Sequence, residues 1–169
     1  MTVLPILQFP DPRLRQPAVP VTVFDDDLRR LAADMLDTMR AAEGIGITAP
    51  HIGVARRVVV LQLAPDAEAR TYVNPAIEWA SGEIARRQEG SVSMPGVAEE
   101  VERSARVRVR YQDLDGTTHM EEADGLRAVC HLHEIDQLDG IFWILRLSRL
   151  KRERVVKRYE RLMRAQPSR

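Results

Sequence analysis

The chain is expected to adopt an α+β fold, with short, mostly antiparallel strands around a central helix that carries His133 and Glu134, and a further helix at the C-terminus. Three observations predict this. Helical spacing occurs near residues 25–43, 124–139 and from 148 onward; the apolar runs between the first two are short; and helices do not alternate with strands as a parallel sheet requires. With 169 residues, the chain suffices for one domain with a real core, so residues 1–169 are read as a single domain.

The opening, Val3 to Pro12, is punctuated by Pro5, Pro10 and Pro12, which exclude helix and predict an extended arm lying on the domain. Asp25 to Asp27 then supply a cap and acidic charge for a helix whose Leu28, Leu31, Met35 and Met39 recur at helical spacing, with Gly44 as its stop. Gly44 and Gly46, followed by small residues, let backbone approach backbone or a ligand closely; no Gly-Lys-Ser/Thr follows, so this is not a phosphate loop. Val58–Leu63 is a short apolar run suited to a buried strand, and Asn74-Pro75 is expected to break the chain before another short segment. Glu89 to Gly96 reads as a loop of small, turn-forming residues.

Arg106–Tyr111 alternates, with Val107, Val109 and Tyr111 on one face and three arginines on the other, and Asp115-Gly116 supplies a tight hairpin turn into residues 117–121. Asp124 is a candidate cap for the central helix and Gly140 its end. After Ile141–Leu147, Ser148 is positioned to cap a last helix, with Val155, Val156, Tyr159, Leu162 and Met163 on one side. This segment, 149–169, holds nine Lys or Arg against Glu153 and Glu160.

A net charge of zero argues against a wholesale nucleic-acid binder, and no apolar run is long enough to span a bilayer. The single cysteine, Cys130, excludes an intrachain disulfide and fits a reducing compartment. With no basic-then-apolar leader at the start, a cytoplasmic location is expected.

His133-Glu134 forms the first half of a His-Glu-x-x-His metal-hydrolase motif, in which two imidazoles share one helix face with a Glu as general base. The position four after His133 is Gln137, whose amide oxygen is a poor substitute for imidazole. On these residues alone, an ordinary amphipathic helix with one His facing the core is the favoured account of the pattern.

Three stretches together resemble the peptide deformylase family, in that family's order. Gly44 to His51 resembles a first motif ending Ala-Ala-Pro-Gln, Glu89-Gly90-Ser91-Val92-Ser93 a second motif Glu-Gly-Cys-Leu-Ser, and His133 to Gly140 a third, His-Glu-x-Asp-His-Leu-x-Gly. The flanks Phe9 to Arg15 and Arg146 to Arg152 are similar as well.

The resemblance implies removal of the formyl group from N-terminal methionine, with a metal held by the Cys and two His activating a water, the Glu moving its proton, and the Gln and a backbone N–H polarising the formyl carbonyl. Carried over by position, Ser91 and Gln137 stand in two ligand positions and only His133 remains as a good ligand. Glu134 is the acid/base, His51 takes the carbonyl-polarising position and Val92 offers the backbone N–H. Gly46, Ile45, Arg103, Leu126, Val129 and Cys130 are the expected peptide-binding residues.

The expectation is therefore a deformylase-like protein without ordinary deformylase activity, keeping a cleft for peptide or nascent-chain N-termini, with no cofactor. The alternative is a hydrolase of N-acylated peptides. It would use one divalent metal (iron, nickel or zinc) held weakly in a site rebuilt with His51, His133 and Glu134 or Cys130, or a metal-free Ser91, histidine and Glu134 arrangement. The basic C-terminal helix suits ribosomal RNA phosphates, so the ribosome is a further expected partner; no membrane and no sequence-specific nucleic acid are expected.

Overall fold

The computed structural model describes residues 1–167; Ser168 and Arg169, the end of the expected basic segment, lie outside the described residues. Among the described residues, three helices and seven strands form: α1 (Asp26–Ala41), β1 (Gly46–Thr48), β2 (Val58–Leu61), β3 (Arg70–Ala80), β4 (Ile84–Ser91), β5 (Met94–Ser104), β6 (Arg106–Gln112), β7 (Thr118–Asp124), α2 (Gly125–Leu138) and α3 (Arg149–Ala165). The strands make a five-stranded antiparallel sheet in the order β1-β2-β3-β6-β7 and a separate β4-β5 hairpin. The α+β expectation therefore holds.

Each helix forms where an apolar stripe has a surface to cover. α1 starts at Asp25, whose carboxylate accepts from Leu28 N at 3.0 Å, and buries Leu28, Met35 and Met39 against Ile47, Val58 and Val60 of β1 and β2. Central α2 packs Cys130 and Leu138 on Val59, Leu61 and Tyr72, and Ala128 and Ile135 on Val107 and Val109 of β6. α3 is capped by Ser148 Oγ, which accepts from Lys151 N, and joins Val155 and Tyr159 to Leu14, Phe142, Trp143 and the hairpin residues Met94 and Val101. Two layers thus clasp α2, which brings the hairpin tip to the helix face that bears His133.

Four local expectations are corrected. Asn74-Pro75 does not break the chain: β3 runs through it with a register shift, Asn74 taking φ 50 while its side chain accepts from Val21 N and donates to Val21 O. Asparagine tolerates the left-handed region, and its amide replaces the ladder bonds that the irregularity breaks. Glu89–Gly96 is not a loop but the tip of the β4–β5 hairpin, turning at Val92-Ser93; most residues of β4 are exposed, so no apolar alternation marks the strand. The left-handed residue after α1 is Glu43 (φ 55), not Gly44. Asp124 occupies the start of α2 without a side-chain capping bond.

The N-terminal arm lies on the domain as expected, with Leu7 N donating to His51 O and Phe9 N to Ser93 O, both at 2.8 Å. It ends in a 3-10 turn, Pro12–Arg15, packed against the end of α2, where Gly140 has φ 78. A Cβ on Gly140 would sit 2.5 Å from the Arg15 carbonyl oxygen. Gly140→Ala therefore meets both a disfavoured backbone region and fixed backbone, and is expected to cost roughly 2–3 kcal/mol in urea unfolding.

Candidate active-site cleft

A cleft of about 700 Å³ opens between the hairpin tip, β1 and α2. Its base is set by three local structures. β1 and the 3-10 turn after it (Ala49–Ile52) deliver His51; the end of β4 delivers Glu89 and Ser91; and α2 delivers His133 and Glu134, adjacent residues that both border the cleft. Gly46 has no side chain because the Glu134 carboxyl fills that space: a Cβ there would lie 2.6 Å from Glu134 Oε1.

His133 is fixed in tautomer by its neighbour. Its Nδ1 lies 2.8 Å from Glu89 Oε1, and Glu89 in turn accepts from Arg103 Nη2 at 2.9 Å and Arg103 Nε at 3.0 Å. Burial alone would raise the Glu89 pKa, but the His133 and Arg103 hydrogen bonds and charges outweigh it and hold the carboxyl at about 2. An ionised Glu89 can only accept, so Nδ1 carries a proton and Nε2 is the atom left for the cleft. Burial lowers the His133 pKa, yet the Glu89 bond and the Glu134 and Glu89 charges raise it on balance. Beneath this pair, Arg103 Nη1 donates to Asp136 Oδ2, which also takes a bidentate Arg146.

Glu134 is buried, and Oε2 has no hydrogen-bond partner. Burial pushes its pKa up to about 7, in the range of a group that gives or takes a proton near neutrality. His51 behaves in the opposite sense. Its Nδ1 accepts from Thr48 N at 2.9 Å, so the neutral ring carries its proton on Nε2, which is buried without a partner. Burial, helped by His133, lowers its pKa to about 3, so the ring is a neutral donor at physiological pH.

This has a consequence in acid. In the unfolded chain the ring protonates below about 6.5, so stability is complete above that pH and falls as pH drops from 6.5 towards 3. At pH 5 the loss is about 2 kcal/mol. His51→Gln is expected to remove this step, so urea midpoints of the two proteins should diverge below pH 6.5 and run parallel above it.

Most of the other expected site residues line the same cleft. Ile45 and Leu126 are partly exposed at the mouth; Gly46, Val129, Cys130, Ser91 and Val92 also line the cleft. Ser91 Oγ accepts from Ser93 N at 3.1 Å. The Cys130 thiol is pushed up to about 12, by burial first and then by the nearby Glu134 and Glu89 charges, so it is no ready thiolate. Two residues lie elsewhere. Gln137 is buried and its Nε2 donates to the Leu14 carbonyl at 2.7 Å, while Arg103 lies behind the wall on Glu89 and Asp136 rather than in it.

Glu89 as the His133 partner, the Asp136–Arg146 pair and the rim carboxylate Glu43 went unrecognised in the sequence. Only the adjacency of Glu89 to Ser91 hinted at the first. Among the described residues, no group of three or more His, Cys, Asp or Glu is arranged to hold a metal ion. Nor is any described helix long and apolar enough to cross a membrane.

Comparison with known proteins finds relatives along nearly the whole chain. A protein named peptide deformylase-like from Brucella melitensis is 68% identical over 97% of this chain and 100% of its own length. A peptide deformylase from Alkalilimnicola ehrlichii is 49% identical over 97% of this chain and 93% of its own. Among solved structures, a peptide deformylase from Legionella pneumophila superposes with a TM-score of 0.90 at 37% identity, covering 98% of this chain and 100% of that one. The peptide deformylase from Synechococcus elongatus, solved in complex with actinonin, gives 0.89 at 37% identity over 93% and 88%. The profile of the polypeptide deformylase family matches residues 3–153, and the chain belongs to that family.

Proposed function

We propose that this family member holds peptide or nascent-chain N-termini in its cleft and lacks ordinary N-formylmethionine deformylase activity. The observation that carries the reading is Gln137: it stands where the family's second histidine is expected, and its amide is spent on the Leu14 carbonyl. Ser91 replaces the expected thiolate with a neutral hydroxyl already accepting from Ser93 N. One imidazole with two weak oxygen donors does not fit the family's metal, because such metals gain most of their binding energy from nitrogen and thiolate ligands. The binding cleft nevertheless keeps an apolar wall of Ile45, Leu126, Val129 and Cys130, suited to an apolar first side chain.

The test is release of formate from N-formyl-Met-Ala-Ser by protein purified without oxygen and supplied in turn with ferrous iron, nickel, cobalt or zinc. Turnover at least about 10³-fold below a working deformylase is expected with every metal. Turnover within tenfold of one would overturn the reading.

A second reading has one observation in its favour. The His133–Glu89 bond is the oriented imidazole–carboxylate pair that a metal-free serine mechanism needs, and Ser91 lines the same cleft. Here the orienting carboxylate is Glu89, not the Glu134 expected from sequence. Hydrolysis of N-acyl peptides that survives chelators and disappears in Ser91→Ala would favour it.

The ribosome remains a proposed partner of the basic helix. Arg149, Arg154, Lys157, Arg158, Arg161 and Arg164 stay at or near the surface of α3, opposite its buried Val155 and Tyr159.

A further inference from the structure

A second recess lies outside the cleft and shares no lining residue with it. Its volume is about 260 Å³, and three segments enclose it: the arm from Phe9 to Arg15, the stretch from Phe142 to Leu145, and the start of α3 through Arg152 and Val156. The floor belongs to the core. Leu14, Phe142 and Ile144 are buried there, and the Phe9 ring stacks on Phe142 with centroids 5.4 Å apart. Leu145 lines the recess yet joins none of the apolar clusters and stays exposed.

The charge around this apolar floor is one-sided. Asp11, the carboxylate that lines the recess, is spent on Arg13, whose Nη2 donates to it at 2.7 Å. The neighbouring acids are taken as well, Asp136 by Arg103 and Arg146, and Glu153 by Arg149. Two lining guanidiniums form no ion pair among the described residues, the exposed Arg15 and the half-buried Arg152. Arg152 is held in place by carbonyls alone: Nε donates to Ile144 O at 3.2 Å and Nη2 to Leu147 O at 3.4 Å, which leaves Nη1 free. The first turn of α3 has no acidic residue, so the positive end of its dipole adds to Arg152 instead of being offset.

An anion with an apolar body answers both the floor and the surplus charge. Size narrows it further. An apolar cavity of roughly 150 Å³ holds a benzene ring, so this one has room for a ring and a short linker. It falls below the range of roughly 300 Å³ and upward in which larger ligands are housed. We propose that the recess binds a small carboxylic acid of about ten non-hydrogen atoms in its ionised form. The apolar body lies on Phe9, Leu14 and Ile144 beside Leu145, and the carboxylate accepts from Arg152 Nη1 and from Arg15. The bound acid fastens the arm to α3, since each supplies one wall.

The experiment is titration of the isotopically labelled full chain with 3-phenylpropanoate, followed by nuclear magnetic resonance. It is repeated with 3-phenylpropanamide, which keeps the shape and removes the charge. The acid is expected to saturate below about 1 mM and to bind at least about tenfold more tightly than the amide. It should shift the signals of Leu14, Phe142, Ile144 and Val156 and leave those of Val129 and Gly46 in place. Arg152→Gln is expected to weaken the acid at least about fivefold. Because Arg152 also holds two backbone carbonyls, Leu145→Glu is the second variant: the position is exposed and outside the core, and a carboxylate there repels the ligand by a similar factor. Equal affinities for acid and amide, indifference to both variants, shifts confined to the cleft, or no saturation by about 10 mM overturns the inference. Tighter binding of acetyl-Asp-Glu-Phe-Glu-Asp amide at the same signals overturns it too, and makes the recess an anchor pocket for a protein partner instead.

Discussion

Replacing Arg103 with Ala is expected to lower the unfolding free energy by about 3 kcal/mol or more, the largest stability effect of any single substitution at the site. The guanidinium is buried and holds Glu89 through two bonds and Asp136 through a third. Its removal strands two carboxylates in low dielectric, each with one partner left, His133 for Glu89 and a half-exposed Arg146 for Asp136. The Glu89 pKa, held at about 2 in the native protein, should climb towards its ordinary value. A lowered carboxylate pKa contributes stability that is present above about 4.5 and lost as pH falls towards 2, so Arg103→Ala should shrink that contribution and unfold at higher pH than the parent. Pairing Arg103→Met with Glu89→Gln, which removes charge from both sides, should recover much of the loss. Urea unfolding of the single and double variants between pH 3 and 8 decides it; equal costs for the two would mean that the ion pair contributes nothing.

The second large effect is a gain. Ser91→Cys combined with Gln137→His is expected to take bound metal from below about a tenth of an equivalent to close to one, because two nitrogen or thiolate ligands add to His133, and full ligand sets of this kind gain roughly 10 kcal/mol. His133 needs no rebuilding, since Glu89 already orients it as a second-layer carboxylate orients a metal-bound histidine. Elemental analysis of protein purified without a metal-binding tag is the primary readout, and formate release the secondary one. Neither single substitution should reach half an equivalent. If the unaltered chain already carries one, the geometry at Gln137 has been misjudged as a barrier to metal.

Legibility from sequence followed the reach of the interaction. Helices α1, α2 and α3 and strand β6 were readable because one face of each is apolar at a fixed period, as Val107 and Val109 show by burying completely while Arg106, Arg108 and Arg110 stay outside. The hairpin β4–β5 was not, since polar residues on both its faces erase the period, and β3 was hidden by an Asn-Pro pair whose irregularity is compensated from Val21, 53 residues away. Motif likeness carried His51, Ser91, His133 and Glu134, which the fold brings to one cleft. The charges behind them escaped notice because nothing local joins Glu89 to Arg103, 14 residues on, or to His133, 44 residues on. Arg103 was placed in the cleft by likeness alone, and the strand register of β5 directs it behind the wall instead.

The bond from Gln137 to the Leu14 carbonyl spans 123 residues, and Ala18 N reaches the Leu138 carbonyl beside it. During synthesis the arm leaves the ribosome before α2, and the partners that hold its far end are made only when α2 is complete. Contacts of such separation in sequence carry a high loop-closure cost and form late. The arm should therefore dock as one of the last events, and the His51 carbonyl and the Ser93 turn that it braces should settle only then. Pulse-labelling hydrogen exchange would find Leu7, Phe9 and Ala18 among the last amides to gain protection, well after those of β2 and β3.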